Sequence, residues 1–192
     1  MPAPRVLLAL SEPIGPHLAS HATAWPIAAH GPATYVLRMN LNEYPRFSYR
    51  ADSTLPDFDD SGPRTVMDAR CGLCAKGARW IARSDKSVAF RIIPMQDPLG
   101  AALLRHYGMN PEDPTSWLFL EDGYAYTSMD AIVRVGARLG GASGLLRALR
   151  FLPRPWQDWL YLRIARNRYR LSRQVDLCSL PDPDVQRRLL RP

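Results

Sequence analysis

Two spacings of apolar residues alternate along the chain from Arg64 onward, and each change of spacing marks a new element. "RTVMD" (64–68) is short, compact and partly β-branched, and predicts a strand. In "CGLCAKGARWIARSD" (71–85), Leu73, Trp80 and Ile81 fall at helical spacing, so a helix follows directly. "SVAFRIIPM" (87–95) alternates and is rich in β-branched residues, predicting a second strand. "DPLGAALLRHYG" (97–108) opens with proline and closes with glycine, the punctuation of a helix. "SWLFLEDGYAYTS" (116–128) reads as two strands turning at Asp122-Gly123, and Thr127 and Asp130 have capping-box spacing at the head of the helical "MDAIVRVGARLGG" (129–141). The order strand, helix, strand, helix, strand, strand, helix over residues 63–141 predicts an α/β domain with a mixed sheet flanked by helices. With two cysteines three positions apart at the first strand-to-helix junction, that is the thioredoxin-like arrangement.

Both flanks read differently. Residues 1–62 carry eight of the 18 prolines by about residue 60, end in the acidic "DSTLPDFDDSGP", and show no sustained period, which predicts a weakly structured extension that a folded domain does not need. Residues 142–192 predict a helical C-terminal extension, broken at Pro153 and restarted at Pro155. Spacing puts Trp156, Trp159, Leu160 and Ile164 on one side of it and Arg163, Arg166 and Arg170 on another, so the tryptophans are expected to pack and the arginines to face water.

Charge sharpens this division. The formal net charge is +7, yet residues 1–140 hold 14 basic and 14 acidic side chains, while residues 141–192 hold 11 arginines and 4 acids. The excess is thus local, and no nucleic-acid motif accompanies it, so no nucleic-acid partner is expected. The alternative to arginines simply in water is docking of this basic extension on a protein or a membrane surface. Three cysteines are too few for a disulfide scaffold, and neither a signal peptide nor an apolar run of transmembrane length is visible. A cytoplasmic location is the expectation, and in a reducing compartment such a cysteine pair is catalytic or metal-binding more often than structural.

The pair has a chemical logic. A thiol attacks as thiolate, and an ordinary cysteine with a pKa of about 8.5 is mostly protonated at neutral pH. At a helix start, Cys71 faces unpaired backbone N–H groups and the positive end of the helix dipole, and Arg70 adds a cation beside it. Cys74, one turn further in, is expected to be the more shielded, resolving thiol. Asp68, at the strand end, is either a proton shuttle for Cys74 or a polar turn residue bonded to backbone. Zinc is the competing reading, but only Cys178, over 100 residues away, is left to join the pair, and of the histidines His17, His21 and His30 lie in the extension and His106 on a helix where a solvated role is expected. No metal or cofactor is therefore assigned.

"VMDARCGLCAKGARWIARSD", "FRIIPMQDP", "LEDGYAYTSMDAIVRVGARLGG", "LPRPWQDWLYLRIARNRYRL" and "DLCSLPDP" together resemble the DCC family of predicted thiol-disulfide oxidoreductases, from about Arg64 to the C-terminus. The resemblance implies a thioredoxin-like fold and a redox role, and places Asp68, Cys71 and Cys74 on the family's Y-D-G-x-C-x-x-C positions. Met67 stands where the family has an aromatic and Ala69 where it has glycine; were that glycine to need a positive φ, alanine would cost about 1 kcal/mol. Similarity to thioredoxin also implies a cis-proline opposite the pair, for which Pro114 is the candidate and Pro94 the weaker one, though a plain turn proline is the commoner role for each. Cys178 falls where the family often has a late cysteine, either a second resolving thiol or a packed side chain. The expected function is thiol-disulfide exchange through Cys71 and Cys74 with a disulfide-containing protein or small thiol substrate, recharged by an unidentified reductant; the alternative is a redox-inactive or redox-sensing binding module.

Overall fold

The computed structural model describes residues 41–113, 115, 117–179 and 181–190. Four strands, β1 (Arg64–Met67), β2 (Arg91–Pro94), β3 (Leu118–Glu121) and β4 (Tyr124–Tyr126), form one sheet in the order β2-β1-β3-β4. β1 and β2 run parallel, with Arg64 beside Arg91 and Met67 beside Pro94, and are joined through helix α1 (Gly72–Ser84). β1–β3 and β3–β4 are antiparallel. The β3–β4 turn is made by Asp122 and Gly123, both at positive φ (51° and 79°), the backbone that a two-residue hairpin requires.

Alternation along the strands divides the core into two layers. Val66, Ile93, Leu118 and Leu120 point to one face, where α2 (Pro98–His106) lays down Leu99, Leu103 and Leu104. Met67, Ile92 and Phe119 point to the other, against Ala75, Ala78 and Ile81 of α1 and Ala131 and Val135 of α3 (Ser128–Leu139). β1 is central and covered on both faces, so all four of its residues are buried. This is a mixed sheet flanked by helices, consistent with the thioredoxin-like α/β fold.

Several local expectations are corrected. The capping box does not form: Thr127 Oγ1 donates to the Trp117 carbonyl at 2.7 Å, tying the helix start to the strand beneath it. On α1 the buried face is made of Ala75, Ala78, Ile81 and Ala82, while Trp80 is half-buried and donates from Nε1 to Ser143 Oγ at 3.0 Å. His106 is not simply solvated; Ser48 Oγ lies 2.9 Å from Nε2 and Asp52 Oδ2 2.8 Å from Nδ1. That chain fastens residues 41–58 to α2, and Leu41 and Tyr49 are buried in the same core layer, with Tyr44, Phe47, Leu55 and Phe58 packed around them.

Beyond α3 a 3-10 run (Gly141–Phe151) leads through Pro153 into α4 (Arg154–Leu171). α4 does not pack through its tryptophans. Its buried residues are Gln157, Tyr161, Ala165 and Arg168, whereas Trp156 and Trp159 are exposed. The polar side chains on the inner face are held by hydrogen bonds: Gln157 Nε2 donates to the Leu152 carbonyl at 2.7 Å, Tyr161 Oη to the Thr115 carbonyl at 2.6 Å, and Arg168 Nη2 to Asp68, while Arg168 Nε has no partner among the described residues. After α4 the chain doubles back over the domain, forms a 3-10 turn (Leu177–Ser179) and a short α5 (Pro183–Gln186), and at residues 188–190 runs along the free edge of β2, where Ile92 N–H donates to the Arg188 carbonyl and Leu190 N–H to the Ile92 carbonyl.

Candidate active site

The strand-to-helix junction after β1 is built around one carboxylate. Asp68 is 1% exposed and accepts four hydrogen bonds: Oδ1 from the Arg70 N–H (2.8 Å) and Gln96 Nε2 (2.7 Å), Oδ2 from Arg168 Nη2 (2.7 Å) and the Tyr169 hydroxyl. Burial alone raises a carboxyl pKa, but the bonds from Tyr169 and the Arg70 N–H and the charge of Arg168 outweigh it, and Asp68 sits below its ordinary value. It is an anchored anion. Gln96, just past β2, also accepts from the Ala69 N–H at 3.0 Å, so the loop is held from both sides. Ala69 is not among the residues at positive φ, so the alanine carries no backbone strain here.

Cys71 is the N-cap of α1, and its Sγ accepts from the Cys74 N–H at 3.5 Å. The two cysteines, both reduced, come within 3.6 Å of each other. The bond from the Cys74 thiol is the largest influence on Cys71; with the backbone N–H groups of Cys74 and Leu73 and the charge of Arg168, it brings Cys71 down to about 6 against the upward pull of burial. Cys74 moves the opposite way, pushed well above the ordinary thiol value because its proton is shared with Cys71, because it is shielded, and because ionising it would put two anions side by side. The two thiols are thus shifted in opposite directions.

Two features differ from the sequence reading. The cation with a leading effect on both sulfurs is Arg168, from α4; the adjacent Arg70 is exposed, and its backbone N–H donates to Asp68. Cys71 is also not the open thiol: it is fully buried, and Cys74 is half-buried. The cover is the segment following α4, which runs antiparallel to residues 69–71, with Cys71 paired to Gln174, the Val175 N–H donating to the Arg70 carbonyl (3.2 Å) and the Leu177 N–H to the Ala69 carbonyl (2.7 Å). Its approach explains Gly72, where a Cβ would meet the Arg173 carbonyl oxygen at 2.2 Å and Ser172 Oγ at 2.5 Å.

Comparison with known proteins points the same way. A family profile described as DCC1-like thiol-disulfide oxidoreductase matches residues 65–174, more than half of the chain. The chain belongs to the DCC1-like family. It is 30% identical over 125 residues to the uncharacterized protein YuxK of Bacillus subtilis, covering 65% of this chain and 91% of that one, and 28% identical over 123 residues to a chloroplastic DCC family protein of Arabidopsis thaliana, covering 64% and 72%. No solved structure matches the chain. Membership of the DCC1-like family supports a general thiol-disulfide oxidoreductase role.

The region shared with the DCC1-like profile includes Asp68, Cys71, Cys74, Gln96, Arg168 and Tyr169, and stops short of Cys178. Cys178 is half-buried in the 3-10 turn beside the site, its N–H held by Asp176 Oδ1 at 2.9 Å. Pro114 lies outside the described residues, as do His17, His21 and His30; Pro94 ends β2, and no described peptide bond is cis. Among the described residues no group of three or more His, Cys, Asp or Glu side chains gathers as a metal site would need, and no helix is long and apolar enough to cross a membrane. Sequence reasoning missed Gln96, Arg168 and Tyr169. The signal for Arg168 was its place at the end of the 157, 161, 165, 168 stripe, a polar-tipped helical face that the arginine count concealed.

Proposed function

We propose that this protein reduces disulfides by a dithiol exchange in which Cys71 attacks and Cys74 resolves. The Cys71 thiolate displaces one sulfur of a substrate disulfide, forming a Cys71–substrate mixed disulfide and releasing the first substrate sulfur as a thiolate that takes a proton from water. Cys74, no longer sharing its proton with an anionic Cys71, loses it to solvent and attacks Cys71 Sγ. The Cys71–Cys74 disulfide forms, the second substrate sulfur leaves, and two electrons have passed to the substrate. An external dithiol or small thiol restores the reduced pair.

The observation that carries this reading is the placement of Cys71 at the N-cap of α1, its Sγ accepting from the Cys74 N–H at 3.5 Å; with the charge of Arg168 this favours the Cys71 anion, drawn down to about 6, while Cys74 is raised well above its ordinary value. Asp68, as a fixed anion saturated by four donors, is suited to holding Arg168 beside the sulfurs rather than to passing protons, and we assign it and Tyr169 as positioning residues. Arg168 stabilises the thiolate of Cys71 and, after the first step, whichever sulfur leaves as anion. The test is a pair of single substitutions challenged with a small aromatic disulfide and followed by mass spectrometry. Cys71→Ser is expected to be inert, and Cys74→Ser to react once and keep the mixed disulfide on Cys71; a stable adduct on Cys74 in the Cys71→Ser protein at a comparable rate would reverse the assignment.

A further inference from the structure

The outer face of α4 carries a pattern that neither packing nor the dithiol site explains. Trp156, Trp159, Arg163, Arg166 and Arg170 succeed one another at intervals of three, four, three and four residues, so they form one stripe along the side of the helix opposite Gln157, Tyr161, Ala165 and Arg168. The stripe is about 21 Å long. All five residues are exposed, Trp156 and Trp159 at 62% and 60%, and the two indoles meet edge-on at 6.5 Å, forming with Pro155 a shallow groove. The 3-10 run that leads into α4 is exposed in the same manner: Phe151 is 90% exposed and Leu145 77%, with Arg147 and Arg150 between them.

Such exposure is costly unless something covers it, since large aromatic side chains in water are the surface feature that marks an interaction site. Charge says what the cover is. Residues 141–171 contain seven arginines and a single acid, Asp158, which is not on the stripe. Of these arginines Arg168 is spent on Asp68 and Arg154 on Asp130, which leaves Arg147, Arg150, Arg163, Arg166 and Arg170.

We propose that this face docks on an anionic membrane surface, with Trp156, Trp159 and Phe151 seated at the headgroup level and Arg163, Arg166 and Arg170 on lipid phosphates. Indole is the side chain that favours the water–hydrocarbon boundary, having an apolar body and a polar N–H. A straight helical stripe that is aromatic at one end and cationic along the rest matches a plane that offers both apolar depth and negative charge. The helix lies in the interface with its polar inner face still on the protein, which differs from a self-standing amphipathic helix in needing no folding on binding. This inference is independent of the assignment of roles to Cys71 and Cys74.

The test is flotation of the full chain with vesicles of phosphatidylcholine alone and of phosphatidylcholine mixed with phosphatidylglycerol, at low and high salt. Binding to the anionic vesicles, weakened by salt, is the expected result. Trp156→Ala with Trp159→Ala should weaken it at least tenfold, and Arg163→Gln, Arg166→Gln and Arg170→Gln together roughly 100-fold, from the usual attraction per basic side chain. Unchanged circular dichroism and an unchanged alkylation rate at Cys71 check that these exposed substitutions leave the fold intact, and Trp159→Ala alone serves if the double variant does not fold. Absence of binding to anionic vesicles, equal binding to neutral ones, or binding indifferent to both sets of variants would overturn the proposal. So would retention by an acidic polypeptide or by nucleic acid without vesicle binding, which would make the face a site for that partner instead.

Discussion

Asp68 and Arg168 sit 100 positions apart in sequence and form an ion pair in which the side chains are 1% and 6% exposed. An ion pair so placed adds little net stability while both partners are present, but removing one leaves an uncompensated buried charge, which costs about 3–5 kcal/mol. Asp68→Asn is therefore expected to lower the unfolding free energy by about 3–5 kcal/mol, read as a lower urea midpoint at an unchanged denaturant slope. Acid should act in the same direction. Asp68 is depressed in the folded state, so its contribution is complete above the unfolded carboxylate pKa of about 3.9 and is lost as pH falls through its lower folded value. A titration of stability that shows no loss attributable to Asp68 in that acidic window, compared with Asp68→Asn, would remove the carboxylate from the account. At this scale the sequence displayed Asp68, Cys71 and Cys74 plainly, because all three lie within seven residues of one strand-to-helix junction. Arg168, Tyr169 and Gln96 were hidden, because a basic side chain in an arginine-rich helix has no local mark that distinguishes it from its solvated neighbours.

Among elements, the legible ones were those whose apolar period is set by contacts on a single core. β1 to β4 and α1 to α3 appear where alternation or helical spacing placed them, and the hairpin follows from Asp122-Gly123 accepting positive φ. α4 was legible as a helix but not in its orientation, because Tyr161, Gln157 and Arg168 bury polar tips that spacing rules count as outward-facing. The covering segment at residues 172–177 left no periodic trace at all, since its hydrogen bonds are made by backbone to Ala69 and Arg70. Gly72 supplies a handle on it. Gly72→Ala should lift the segment, because the new Cβ would overlap the Arg173 carbonyl, and the expected result is faster amide exchange at Val175 and Leu177 with faster alkylation of Cys71. Unchanged exchange at both amides would show that the cover has room for a methyl group and does not control access.

In the whole molecule, three stretches distant in sequence converge: residues 67–74 supply the thiols and the carboxylate, Gln96 braces the loop, and residues 168–177 supply the cation and the cover. The segment before β1 contributes on the opposite face of the sheet, where Leu41 and Tyr49 are buried against the same layer as Leu103. A chain beginning near Ser61 should therefore be less stable by at least about 3 kcal/mol, from two buried side chains at the usual 1.5–3 kcal/mol each; an unchanged melting temperature would show that the segment adds nothing to the core. The proposed dithiol chemistry needs Cys71 as a thiolate at neutral pH, a state that the Cys74 thiol and the charge of Arg168 favour and that the intact chain can test. The decisive measurement is the alkylation rate at Cys71, mapped by mass spectrometry across pH, in the unmodified protein and in Arg168→Gln. The expected result is a midpoint at Cys71 of about 6, with Cys74 reacting only at much higher pH, and an upward move of the Cys71 midpoint in Arg168→Gln. A Cys71 midpoint at or above the ordinary thiol value of about 8.5, or one unmoved by loss of Arg168, would contradict it.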